Sequence, residues 1–160
     1  KQLIICDRAI GEMTRNPSLL KNPEIDSWIS FSEDGLINVR IGKVDIGQKI
    51  STAIARIVSE ELDLDLKRIV MVKPDTILSP NEGMTSGSNS MEESGNAIRL
   101  AAATIRETLM ELAARKLNTS VDSLEVLDGT ISSRETDRTT NYWELQGARL
   151  FNKAINVVEW

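Results

Sequence analysis

The run Asn81-Glu-Gly-Met-Thr-Ser-Gly-Ser-Asn-Ser-Met-Glu-Glu-Ser-Gly95 gathers three glycines, four serines and a threonine directly ahead of a long segment of helical apolar periodicity. A helix N-terminus leaves backbone N–H groups without partners and carries partial positive charge. Glycines that let a phosphate come close, and hydroxyls that donate to it, therefore make an anion cradle there. Thr85, Ser86, Gly87, Ser88 and Ser90 are the residues placed to build one. The same letters also fit a ligand-free reading, in which Ser90-x-x-Glu93 or Ser94 caps the helix and the glycines serve turns. No Gly-Lys-Ser/Thr follows the glycines, and no strand runs directly into the loop, which sets aside a nucleoside-triphosphate P-loop and a dinucleotide fingerprint.

A second feature is Gly42-Lys-Val-Asp-Ile-Gly-Gln-Lys-Ile-Ser-Thr52, where a strand ends and a helix begins. Gln48 there can present both an amide donor and an acceptor. Gly47 and Gln48 also read acceptably as ordinary loop residues, so this feature gains weight only in company with the first.

Composition removes several chemistries. The 160 residues include no histidine and a single cysteine, Cys6, so zinc sites, Cys-His nucleophiles and serine triads cannot be assembled and no internal disulfide can form. A net charge of −5 and a pI near 4.9 argue against a nucleic-acid binder, which needs clustered Lys and Arg. No apolar run reaches the ~20 residues that span a bilayer, and Lys1-Gln-Leu-Ile-Ile-Cys6 is shorter than the apolar core of a secretory signal. A soluble chain without its own targeting segment is expected, cytoplasmic or periplasmic.

The elements that must position the two loops follow from periodicity. SWISF and LINVRI alternate apolar and polar residues about Glu33-Asp34-Gly35, predicting an antiparallel hairpin. Ile50, Ala53, Ile54, Ile57, Val58 and Leu62 lie three and four apart, which predicts a helix over 51–62. RIVMV (68–72) fits a short third strand buried on both sides. Ala97, Ile98, Ala101, Ala102, Ile105, Leu109, Leu112, Ala113 and Leu117 form a long stripe that ends at Asn118. Residues 124–127 and 130–132, split by Asp128-Gly129, predict a final strand or hairpin. The fold expected is α/β of the α+β type, a two-layer sandwich with a mixed sheet in the order β-β-α-β-α-β. Residues 1–26 read as an extended lead-in and 27–133 as the domain. Residues 134–141 are polar and turn-like, and 134–160 form a C-terminal extension that starts a further helix and leads into sequence beyond Trp160.

Gly42-Lys-Val-Asp-Ile-Gly-Gln48 with Thr52, Ile57-Val-Ser-Glu-Glu-Leu62, Asp75-Thr76, Pro80-Asn-Glu-Gly83, Thr85-Ser-Gly-Ser88 and Gly95-Asn-Ala-Ile-Arg99 occur in this order. Together they resemble the large subunit of the xanthine dehydrogenase and aldehyde oxidase family of molybdenum hydroxylases. The branch it is most similar to comprises isoquinoline-oxidoreductase-like and nicotinate-dehydrogenase-like subunits. Residues 27–130 carry the likeness, with weaker extensions from Pro17 and to Tyr142-Trp-Glu-Leu145.

The resemblance implies a role in holding molybdopterin cytosine dinucleotide. Gly47, Gln48 and Thr52 would lie near the pterin and molybdenum end, and Thr85, Ser86, Gly87 and Ser88 near the pterin or the dinucleotide phosphates. It also implies an oxidoreductase that hydroxylates aldehydes or N-heterocycles with oxygen from water, passing electrons to iron–sulfur clusters on a 2Fe-2S subunit. The implied partners are that subunit and the remainder of the molybdenum subunit; a homodimer is a further assembly to test.

Two departures stand out. The family pattern reads Gly-Gln-Gly, and here Lys49 occupies the third place. The catalytic glutamate of the family belongs to a C-terminal region that this chain does not contain; Glu60 and Glu61 fall on the wrong side of the motif and are expected at the surface. Two further readings stay open: a cofactor-free interaction or structural domain derived from the family, and a module binding an unrelated phosphorylated ligand through the 83–95 loop alone. If the domain packs on a larger subunit, Trp143 and Trp160 are the residues expected on the covered face.

Overall fold

The computed structural model describes residues 16–47, 49–75, 77, 79–83, 90–145 and 155. The architecture is α+β. Strands β1 (Ile29–Phe31) and β2 (Ile37–Val39) pair antiparallel, and β3 (Ile69–Met71) joins β2 in parallel, giving a mixed sheet in the order β1-β2-β3. The hairpin between β1 and β2 turns at Gly35, whose φ of 79° is a conformation that glycine adopts freely.

The final hairpin does not extend that sheet. β4 (Leu124–Leu127), β5 (Thr130–Ser133) and β6 (Thr139–Asn141) form a second, antiparallel sheet of their own. Asp128 and Gly129, at φ 48° and 75°, make the tight turn between β4 and β5. β6 corrects the expectation that 134–141 is only a turn: Thr139-Thr-Asn is polar, and its place in the sheet comes from pairing with β5 rather than from its own residue types. β3 corrects another. It lies at the edge of its sheet and Val70 is exposed, so it is not buried on both faces.

Among the described residues, two long α-helices and two short ones frame the sheets. Asn16 starts α1 (Pro17–Lys21), its side-chain oxygen accepting from the Ser18 and Leu19 N–H groups. This part of the expected extended lead-in is therefore helical: Pro17 at the first position is compatible with a helix, and Leu19 is buried in the core. α2 (Ile50–Leu62) turns Ile50, Ile54, Val58 and Leu62 inward. α3 (Asn96–Leu117) ends at Asn118, left-handed at φ 54°, as its sequence position predicts. α4 (Tyr142–Leu145) follows β6.

α2 and α3 pack on each other, and fully buried Ala97, Ala101, Ala102 and Ala113 keep the α3 backbone close to its neighbours. α3 touches β1 of one sheet and β5 and β6 of the other, so both sheets share one core. Leu19, Ile25, Tyr142 and Ile155, from the segments before and after 27–133, belong to that same core.

A second junction ties the sheets together. Arg68 donates from Nε to both Asp128 carboxylate oxygens at 2.9 and 3.0 Å and from Nη1 to the Gly35 carbonyl, and it lies 5.0 Å above the Trp143 ring. Trp143 is half-buried beneath that guanidinium and against Phe31 and Tyr142. It is thus part of the packing rather than an exposed docking residue; Trp160 lies outside the described residues.

Candidate functional site

The loop of residues 44–49 leaves β2 and enters α2, and its shape is set by Asp45. The Asp45 carboxylate accepts from the Gly47 N–H at 3.0 Å and the Lys49 N–H at 3.2 Å, and from Ser51. The backbone donors, Gly47 foremost, hold this carboxyl below the usual aspartate range. The donors just ahead of α2, and Ser51 in its first turn, are thereby taken up by the chain's own carboxylate.

Gly47 has a φ of 104°, and nothing lies within 4 Å of the point where a side chain would begin, so its backbone is open to close approach. Lys49 sits at φ 57°, ψ 34° with its side chain exposed. The backbone there keeps the left-handed conformation that suits glycine, and the lysine is carried outward. Thr52 is exposed in the first turn of α2. Gln48 lies outside the described residues.

The second loop is described at its two ends, and both ends enter one buried polar network. Glu82 accepts from the Gly42 N–H through Oε2 and from the Ser94 hydroxyl through Oε1, both at 2.7 Å. Lys43, 3% exposed, donates from Nζ to the Glu82 carbonyl at 3.0 Å and pairs with Glu93 Oε2 at 3.0 Å. Gly42 is obligatory: a Cβ there would stand 2.1 Å from the Pro80 carbonyl oxygen.

The chain enters α3 through a π-helical turn, Met91–Gly95, a widened form that recurs at functional sites. The Glu93 carbonyl in this turn accepts from Asn16 Nδ2 at 2.9 Å, which brings the start of α1 into the network. Ser94 is completely buried and donates to Glu82 instead of capping α3, and no side-chain cap bond forms at Ser90. Capping therefore does not account for Ser90 and Ser94. Thr85, Ser86, Gly87 and Ser88 lie outside the described residues. Glu60 is exposed; Glu61, less so, pairs with Arg99 at 2.7 Å.

Sequence reasoning missed Asp45, Lys43, Glu82 and Glu93, all inside or beside its two motifs. Asp45 was findable, because an Asp two residues before a Gly and just ahead of a helix is a local capping signal. The other three were not, since the bonds that join Lys43 and Gly42 to Glu82 span 39 and 40 residues.

With this geometry in view, the comparisons with known proteins converge. Residues 9–158 match the family described as the molybdopterin cofactor-binding domain, and the chain belongs to that family. It is 39% identical over 112 residues to a nicotinate dehydrogenase subunit of Pseudomonas putida, covering 70% of this chain and 9% of that protein. It is 30% identical over 144 residues to the isoquinoline 1-oxidoreductase beta subunit of Brevundimonas diminuta, covering 86% of this chain and 18% of that one. The Cu,Mo-CO dehydrogenase structure in its carbon monoxide reduced state matches at a TM-score of 0.63 and 25% identity, over 73% of this chain and 15% of that one. CO dehydrogenase from Oligotropha carboxidovorans shares the fold at a TM-score of 0.65 and 23% identity, over 79% and 17%. The chain thus spans less than a fifth of the length of these relatives, and the nicotinate and isoquinoline enzymes are each named as subunits. Among the described residues no helix is long and apolar enough to cross a membrane.

Proposed function

We propose that this chain forms part of the molybdenum-binding subunit of an oxidoreductase that hydroxylates aldehydes or N-heterocycles, and that it contributes to holding molybdopterin cytosine dinucleotide. The observation that carries this reading is the joining of its two loops: Gly42, ahead of the 44–49 loop, donates to Glu82, ahead of the second loop, at 2.7 Å. The two motifs that the family likeness picks out therefore start from one rigid base.

The residues present fit such a group at the first loop. Gly47 leaves open space beside its backbone, and the exposed Lys49 ammonium and Thr52 hydroxyl suit an anionic dinucleotide. Because Asp45 already takes the Gly47 and Lys49 N–H groups just ahead of α2, contact there runs through these side chains, Gln48 and the open face of Gly47. Thr85, Ser86, Gly87 and Ser88 would hold the pterin or phosphate part. Bound in this place, the molybdenum centre supplies the redox and oxygen-transfer chemistry, while the chain orients it.

The remainder of the molybdenum subunit and a 2Fe-2S subunit complete the enzyme in this reading. The test is to produce the chain alone and within its longer natural reading frame, in a host that makes the cytosine dinucleotide, and to measure molybdenum and released pterin per protein. Cofactor in the longer product that falls on Gln48→Ala or Thr52→Val is the expected result. No cofactor in either product overturns the proposal in favour of a cofactor-free interaction domain.

A further inference from the structure

We propose that Lys43 is a positioning residue that couples the two loops, so that a disturbance in residues 44–49 is felt at Glu82, Gly83 and the Met91–Gly95 turn. The importance of this coupling rests on the proposed function, in which both loops serve one ligand.

An ammonium that is 3% exposed is costly to desolvate, and an apolar side chain of similar length would fill the same space without that cost. Lys43 is held instead by oxygens of two separate segments, the Glu82 carbonyl and the Glu93 carboxylate among them. Its neighbour Gly42 is clamped to the same Glu82 by the carboxylate and against Pro80 by contact. Ser94 completes the ring through the other Glu82 oxygen.

The direction of the donors matters. An ammonium accepts nothing, so its bonds to 82 and 93 hold only while both segments keep their acceptors aimed inward. Residue 43 is also one step from the 44–49 loop, and Asp45 fixes that loop through N–H groups of residues 47 and 49. A shift of Asp45 therefore pulls on Lys43 before it reaches the hydrophobic core, and Lys43 passes it to the ends of the second loop.

The test uses the full chain without cofactor and reads amide hydrogen exchange residue by residue. Asp45→Asn weakens the first loop directly and should speed exchange at 44–51. With Lys43 in place it should also speed exchange at Glu82, Gly83 and residues 91–94 by about threefold or more. In Lys43→Met the effect of Asp45→Asn should stay within 44–51. Glu93→Ala removes the acceptor on the Met91–Gly95 turn, and should abolish the spread to residues 91–94 if Lys43→Met does not fold. Exchange that stays local in the parent chain, or spreads equally in all backgrounds, overturns the proposal. Since no cofactor is involved, this outcome is independent of whether the domain binds one.

Discussion

The Gly42 N–H donates to the Glu82 carboxylate at 2.7 Å, and the Pro80 carbonyl occupies the space where a side chain at position 42 would begin. Two segments that the sequence separates by 40 positions are thereby pressed together without a gap. Gly42→Ala should cost at least about 3 kcal/mol, because backbone rather than a flexible side chain must give way. Urea unfolding measures it; a loss below about 1 kcal/mol would mean that the two segments separate easily.

Glu82 offers a sharper comparison. In Glu82→Gln the amide oxygen can accept from Gly42 and the amide nitrogen can donate to Ser94, whose hydroxyl rotates to accept, so the loss should be about 1 kcal/mol. Glu82→Ala leaves both the Gly42 N–H and the Ser94 hydroxyl without that partner and should cost about 3 kcal/mol or more. Equal losses for the two variants would show that the carboxylate's charge, not its two hydrogen bonds, holds the site.

Lys49 holds a left-handed backbone at φ 57° in the place where the family pattern has glycine. Lys49→Gly should relieve strain and stabilise the chain by about 1 kcal/mol. Thermal or chemical unfolding tests this, and a lower stability would show that the lysine side chain contributes more than its backbone costs.

Acid should loosen the first loop through Asp45. Its carboxyl is held below the ordinary aspartate value, chiefly by the Gly47 N–H. A depressed folded-state value means that the stabilisation is present above the unfolded value and is lost as pH falls through the folded one. Asp45→Asn should therefore differ from the parent chain at pH 7 and converge with it at acid pH. A carboxyl titration followed by NMR, with a midpoint at or above the ordinary aspartate value, would contradict this.

Tyr142 closes the core from the other side. Its hydroxyl donates to the Leu62 carbonyl at 3.0 Å, and burial raises its pKa far above the ordinary tyrosine value. Tyr142→Phe should cost about 1 kcal/mol by leaving that carbonyl without its donor. An unchanged denaturation midpoint would show that the end of α2 finds another partner.

The sequence by itself determined the elements whose signals are local. The apolar stripes of α2 and α3, the Asn118 stop, and the turns at Gly35 and Asp128-Gly129 all appear in the structure where residue types and spacing require them. The ordered motifs from Gly42 to Arg99 were enough to indicate the family. Tertiary structure alone decided the rest. Thr139-Thr-Asn became a strand because β5 offered an unpaired edge, and the last hairpin formed a separate sheet because α3 reaches across both. Lys43, Glu82 and Glu93 carry no periodic signal, and charged residues are ordinarily assigned to the surface. Only folding brings together acceptors and donors 39 or more positions apart and makes it favourable to bury them.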